Sequence, residues 1–295
     1  ILILSLITCG IFLRFHLVSD TYWNIGEGYE NYKFYPLKDG RIINYLMLCV
    51  AQFINIPFEI YQLIMVIGSI LCYNYAVYIL FNFFIQKLNS KEKIVSLITF
   101  LGSFLIIYNP MTVESFAYTE MVIPLSIAFF TKAAILLNKQ TESKSVNTIK
   151  SIIYVVLGSL CYQGTICFFA TISIFCFTLN KDSKFKDWIK CLLKTLMVYL
   201  IGITIMVATI YILNRVLGTV RDNIEISVNI IYKIKTFIII SIYLLIKIPF
   251  NLFQDYLIVM CIITSLIILI IILRKENTKN KIINFLKYIM IVIVS

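Results

Sequence analysis

One histidine, two tryptophans, five prolines and ten glycines among 295 residues leave little material for several kinds of protein. With His16 the sole imidazole and no CxxC pair among eight cysteines, the sequence argues against a Cys/His zinc site. Cys9, Cys49, Cys72, Cys161, Cys167, Cys176, Cys191 and Cys261 lie within or beside apolar blocks, where thiols act as small buried side chains. Charge is scarce as well: Asp, Glu, Lys and Arg make up 14% of the chain. No basic stripe is interleaved with exposed aromatics, so the net charge of +11 does not point to nucleic acid. Internal repeats and low-complexity linkers are missing too, and one domain over residues 1–295 is the simplest reading. The opening block has no basic leader or small-residue cleavage site of a signal peptide. The chain opens and closes inside apolar blocks, as expected of a fragment truncated at both ends.

What is present is apolar surface. Sixty per cent of the residues are hydrophobic and the mean hydropathy is +0.92, more than one soluble core of this length can bury. The apolar residues form continuous blocks without period-two alternation, which selects helices over a β-barrel. They cover Ile1–Val18, Phe58–Ile85, Ile94–Tyr108, Met121–Leu137, Ser151–Leu179, Cys191–Leu213, Ile234–Phe253, Tyr256–Leu273 and Ile282–Val294. Several approach the about 20 residues that cross a bilayer core. The expected fold class is all-α, a polytopic integral membrane protein in contact with the lipid bilayer.

The connecting segments set an orientation. Lys87–Lys93, Asn138–Lys150, Lys181–Lys190 and Arg274–Lys281 each hold more Lys and Arg than Asp and Glu, which places them on the cytoplasmic side. The first loop, Ser19–Arg41, and Asn109–Glu120 then fall on the outer face. Ser151–Leu179 is too long for one straight span and is expected to turn at Tyr162-Gln163-Gly164. Ile42–Ile54 is short and is broken from the next helix by Asn55-Ile56-Pro57. It reads as an interfacial or re-entrant helix, so that residues 19–57 form the first outer loop. The same orientation makes Ile234–Phe253 a re-entrant pair broken at Pro249.

Chemistry-bearing residues gather on the outer segments. Asp20 follows the first helix at the membrane–water boundary, where it serves either as a general base toward an acceptor hydroxyl or as a solvated helix cap. Arg41, beside a Gly turn, is suited to bidentate phosphate contact; the alternative is a turn with a surface charge. In the second outer segment Glu114 and Tyr118 share a helical face, and Glu120 follows. Tyr162 and Gln163 interrupt an apolar run, where a buried amide needs a partner, either a sugar hydroxyl or a neighbouring helix. Arg215 and Arg221 fall in an outer stretch suited to a lipid-linked phosphate or to headgroups. No ligand cluster supports a divalent cation, and no cofactor is expected.

The order of these pieces resembles the bacterial membrane glucosyl transferase family of the Gtr type II kind, over roughly Leu17 to Leu179. The shared features are an acidic motif after the first helix, a Gly-Arg opening a short apolar helix, an Asn-Pro-x-x-x-Glu-x-x-x-Tyr segment and a Tyr-Gln apex. The resemblance implies a GT-C-like helical bundle that passes a sugar, glucose foremost, from a polyprenyl-phosphate donor to a surface-glycan acceptor such as an O-antigen. It makes Asp20 the candidate catalytic base, Arg41 a loop organiser or phosphate contact, and Glu114, Tyr118, Tyr162 and Gln163 cavity-lining residues. The chain departs from the family in having Asp20-Thr21 where paired acids are usual, and Glu120 where an Asp is. Two other functions compete: a polysaccharide polymerase of the EpsG-like kind, and a transporter or flippase, which would favour inverted repeats and broken midplane helices.

Overall fold

Every regular element among the described residues is a helix, as continuous apolar blocks require. The structure is a computed structural model and describes residues 1–14, 26, 28–88, 92–109, 112, 115–116, 121–139, 144–178 and 185–216, all within one compact unit. In chain order the helices are α1 (Leu2–Cys9), α2 (Phe34–Lys38), α3 (Ile42–Ile54), α4 (Phe58–Leu88) and α5 (Lys93–Ile107). They continue with α6 (Val122–Asn138), α7 (Lys144–Cys161), α8 (Ile166–Thr178) and α9 (Phe185–Val216). Short 3₁₀ turns follow α1 at Gly10–Leu13 and join α7 to α8 at Gln163–Thr165. The expected elements at 234–253, 256–273 and 282–294, and the basic segment 274–281, lie outside the described residues.

The hub is α6, which packs against α4, α7 and α8. Its sequence suits that position. Ile127, Ala128, Phe130, Ala133 and Ala134 are buried around its circumference, and small residues let neighbouring backbones approach closely. Pro124 sits in the first turn, where its missing N–H is tolerated. At the far end Asn138 pegs the helices together. Its Nδ2 donates to the carbonyls of Ala134 and Ser173 at 2.9 Å each, and Ser173 Oγ lies 3.1 Å from Thr195 Oγ1 on α9. Phe84 near the end of α4 meets Phe175 of α8 with ring centroids 5.4 Å apart. The ends of α4, α6 and α8 and the start of α9 thus share one end of the bundle, which also carries Lys87, Lys93, Lys139, Lys186 and Lys190. At the opposite end Ser126 meets Thr165 at 2.6 Å.

Among the described residues two helices are long and apolar enough to cross a membrane: α4, with 31 residues, and the 28-residue segment Lys186–Leu213 of α9. The apolar helices α5, α6 and α8, of 15, 17 and 13 residues, are shorter than the usual span of about 20. Both α5 and α9 expose whole apolar rows. On α5 these are Ile94, Leu97, Ile98, Leu101 and Leu105; on α9, Ile189, Leu193, Leu196, Leu200 and others.

Three boundaries differ from the sequence reading. The first helix gives way at Cys9 to a 3₁₀ turn that ends at Leu13, where Arg14 is extended, short of the expected Val18. Helix α7 starts at Lys144 within the expected loop, because 144–150 contains no Pro or Gly and Asn147 and Ser151 turn inward, buried. Helix α9 starts at Phe185, because buried Trp188 extends the apolar stripe of Cys191 and Leu192 by one turn. The break at Tyr162–Thr165 and the stop of α3 lie where the sequence puts them.

Candidate functional site

Pro36-Leu37-Lys38-Asp39-Gly40-Arg41 folds as a helix ending. Arg41 N–H donates to Pro36 O at 2.8 Å and Gly40 N–H to Leu37 O at 2.9 Å, the paired bonds of a Schellman cap. Gly40 occupies the left-handed position with φ +75°, where a side chain is disfavoured. A Cβ there would also come within 2.5 Å of Ile210 Cδ1 and 2.9 Å of Gln163 Nε2. The cap therefore ends α2, starts α3 and presses its bare backbone against α9 and the α7–α8 elbow. Asn55, with φ 54°, ends α3 in the same way, as Ile56 N–H reaches Ala51 O at 3.1 Å.

The elbow is built to receive this cap. Tyr162 is extended (φ −156°, ψ 114°), so α7 stops before it, and the 3₁₀ turn Gln163–Thr165 re-aims the chain into α8. Gly164 leaves room for the Tyr162 ring; a Cβ there would meet Cε1 at 2.7 Å. Thr165 Oγ1 donates to Tyr162 O at 3.0 Å and holds the turn closed. From this elbow Gln163 Nε2 donates to two successive carbonyls of the cap, Gly40 O at 2.9 Å and Asp39 O at 3.2 Å. The Arg41 guanidinium lies over the Tyr162 ring, 4.8 Å from its centroid, and Asp39 Oδ2 is 3.9 Å from Arg41 Nη2.

Three candidate residues from separate parts of the sequence, Arg41, Tyr162 and Gln163, thus meet in one place. Gln163 Nε2 reaches the helix-ending backbone between α2 and α3, with carbonyl acceptors 123 and 124 positions away. Arg215 is on the exposed end of α9, five residues past Ile210 and turned to another side, with Nη1 3.4 Å from Tyr211 Oη. Asp20, Glu114, Tyr118, Glu120 and Arg221 lie outside the described residues. The sequence reading passed over Asp39 and Ile210. Asp39 was visible as an acid two positions before Arg41, whereas nothing local marks Ile210 among the apolar residues of α9.

A second cluster fixes the roots of the two acid-bearing segments that follow α1 and α5. Tyr73 Oη on α4 lies 3.0 Å from Thr112 O and 2.9 Å from Ser115 Oγ. Beside it, Tyr108 Oη donates to Asn74 Oδ1 at 3.0 Å and Asn74 Nδ2 to Ser5 Oγ on α1 at 3.2 Å. Phe12 stacks on Phe116 with centroids 5.8 Å apart. The chain leaving α1 and the turn after α5 are therefore neighbours. On the other side of α3, an apolar cavity of about 300 Å³ lies against α4, lined by Ile43, Leu46, Met47, Val50, Ile64 and Met65 among others. Among the described residues no three His, Cys, Asp or Glu side chains gather as a metal site.

Compared with known proteins, the chain matches no family model, no curated protein and no solved structure.

Proposed function

We propose that this chain is a polytopic, GT-C-like membrane glycosyltransferase that moves a sugar, glucose foremost, from a polyprenyl-phosphate donor to a glycan acceptor outside the cell membrane. The observation that carries the reading is the meeting of Gly40-Arg41 with Tyr162-Gln163, two of the motifs behind the family resemblance, at the end of the bundle opposite its lysine-rich loops. The exposed apolar rows of α5 and α9 support a bilayer around the bundle, since contiguous patches of that size are rare on soluble monomers. Lysine enrichment at the other end supports an outward-facing site.

In this reading Asp20 takes the proton from the acceptor hydroxyl as its oxygen attacks the anomeric carbon. The bond from that carbon to the phosphate oxygen breaks, and polyprenyl phosphate leaves with the electron pair. Arg41 is the cation for that phosphate, and its position over the Tyr162 ring restricts where the guanidinium can go. By the resemblance, Glu114, Tyr118 and Glu120 line the acceptor side.

The test is transfer from a polyprenyl-phosphate-linked glucose in membranes. Asp20→Asn is expected to lower the rate by about 10²–10⁴-fold, the usual worth of a general base, with expression and insertion unchanged. A variant as active as the wild type would remove Asp20 from the mechanism.

A further inference from the structure

We infer that Gln163 is a positioning residue that acts through Arg41 and does not itself contact the sugar. For its kinetic consequence the inference rests on the transferase reading; its structural part does not. The side-chain amide has two N–H groups and one carbonyl to place. Its nitrogen is committed to Asp39 O and Gly40 O, the two peptide carbonyls that immediately precede Arg41. Successive carbonyls of an extended chain diverge; the left-handed Gly40 brings this pair onto one donor. In register, Tyr162 carries the next residue, Arg41, on its ring. Two consecutive residues of the elbow therefore hold three consecutive residues of the cap, and Ile210 closes the third side.

The arrangement fixes both position and direction. A Schellman cap sets the local backbone of Gly40 and Arg41, and Leu48 and Ala51 anchor the later part of α3 among Tyr61 and Met65 of α4, so the unit left to be fixed is the α2–α3 corner. The Gln163 bonds, made from 123 and 124 positions away, pin that unit to the bundle. Without them the guanidinium would keep its helix and lose its address. A side chain within the corner cannot substitute, because Lys38 and Asp39 are exposed and the carbonyls face the elbow.

The experiment uses the full chain in nanodiscs, with Gln163→Glu, Gln163→Leu, Arg41→Lys and the double variant Gln163→Glu/Arg41→Lys. Glu keeps the size of the side chain but presents oxygen to the two carbonyls. Trypsin cleavage after Lys38 is expected to accelerate about tenfold in both Gln163 variants, the effect of losing one to two hydrogen bonds, with other sites unchanged. In transfer assays the donor KM is expected to rise about tenfold in Gln163→Glu, with kcat changed less than about twofold. The double variant should be no worse than Arg41→Lys alone, since the lost interaction is shared. Multiplying effects, or a change in kcat or acceptor KM alone, would overturn the inference and make Gln163 a substrate contact. Unchanged cleavage after Lys38 in both Gln163 variants would overturn its structural part. If the wild type transfers no sugar, the transferase reading fails, while the cleavage pattern still decides whether Gln163 pins the corner.

Discussion

Gly40 is the residue with the least freedom to change. Its φ of +75° and the approach of Ile210 and Gln163 leave no room for a methyl group, so Gly40→Ala combines backbone strain with a displaced elbow. A loss of roughly 1–3 kcal/mol from strain alone is expected, read as a lower midpoint in thermal unfolding followed by tryptophan fluorescence. Tyr29, beside the start of α4, offers a test of opposite sign. Its ring packs edge-on against Tyr61, and its buried hydroxyl has no hydrogen-bond partner among the described residues. Burial, with the Glu59 carboxylate adding to it, pushes that hydroxyl up to about 12 from 10.0. The folded state thus holds the Tyr29 proton more tightly than the unfolded chain. Stability from this residue is intact below pH 10.0 and falls as pH rises from there toward about 12. Tyr29→Phe should remove that slope without loss of stability at neutral pH, as chemical denaturation across the range would show; an unchanged slope would put the linkage elsewhere.

At the scale of the helix, the two ends of the bundle have separate duties. Asn138 joins α6 to α8, and Ser173 carries the connection to α9, all at the end away from Arg41. Asn138→Leu is expected to cost about 1–2 kcal/mol, in the range of interhelical hydrogen bonds in membranes, and to leave the donor KM unchanged. A changed KM would mean that the ends are coupled. Most helices were legible in the sequence because each is one apolar block between polar segments. The starts of α7 and α9 were not: 144–150 and 185–190 look like loop when read by polarity, although Asn147 and Trp188 turn inward. The break at Tyr162 was visible from span length alone. Its partner was not: no periodicity links a glutamine to carbonyls more than a hundred positions away, and only the order of motifs suggested that the two segments belong together. Gln163 was open to a sugar or a neighbouring helix, and its amide nitrogen bonds the backbone of the cap between α2 and α3.

For the whole molecule, the helix order fixes which segments share an end of the bundle. Lys139, just past α6, and Lys38, in the cap held by the α7–α8 elbow, are exposed at opposite ends of the bundle, so cysteines placed at those two positions in a cysteine-free chain should label from opposite sides of sealed vesicles, with Lys38→Cys reached from outside the cell. Labelling of both from one face would show that α7 does not cross. In the proposed function, the work is done at the outward end, by the arginine that the elbow holds. The most direct measurement is sugar transfer from polyprenyl-phosphate-linked glucose by the full chain in proteoliposomes, comparing the wild type with Arg41→Lys. A planar guanidinium on phosphate is not replaced by an ammonium, so wild-type transfer reduced by about 10–100-fold in the variant is expected. No transfer by the wild type, or equal transfer by both, would contradict the assignment.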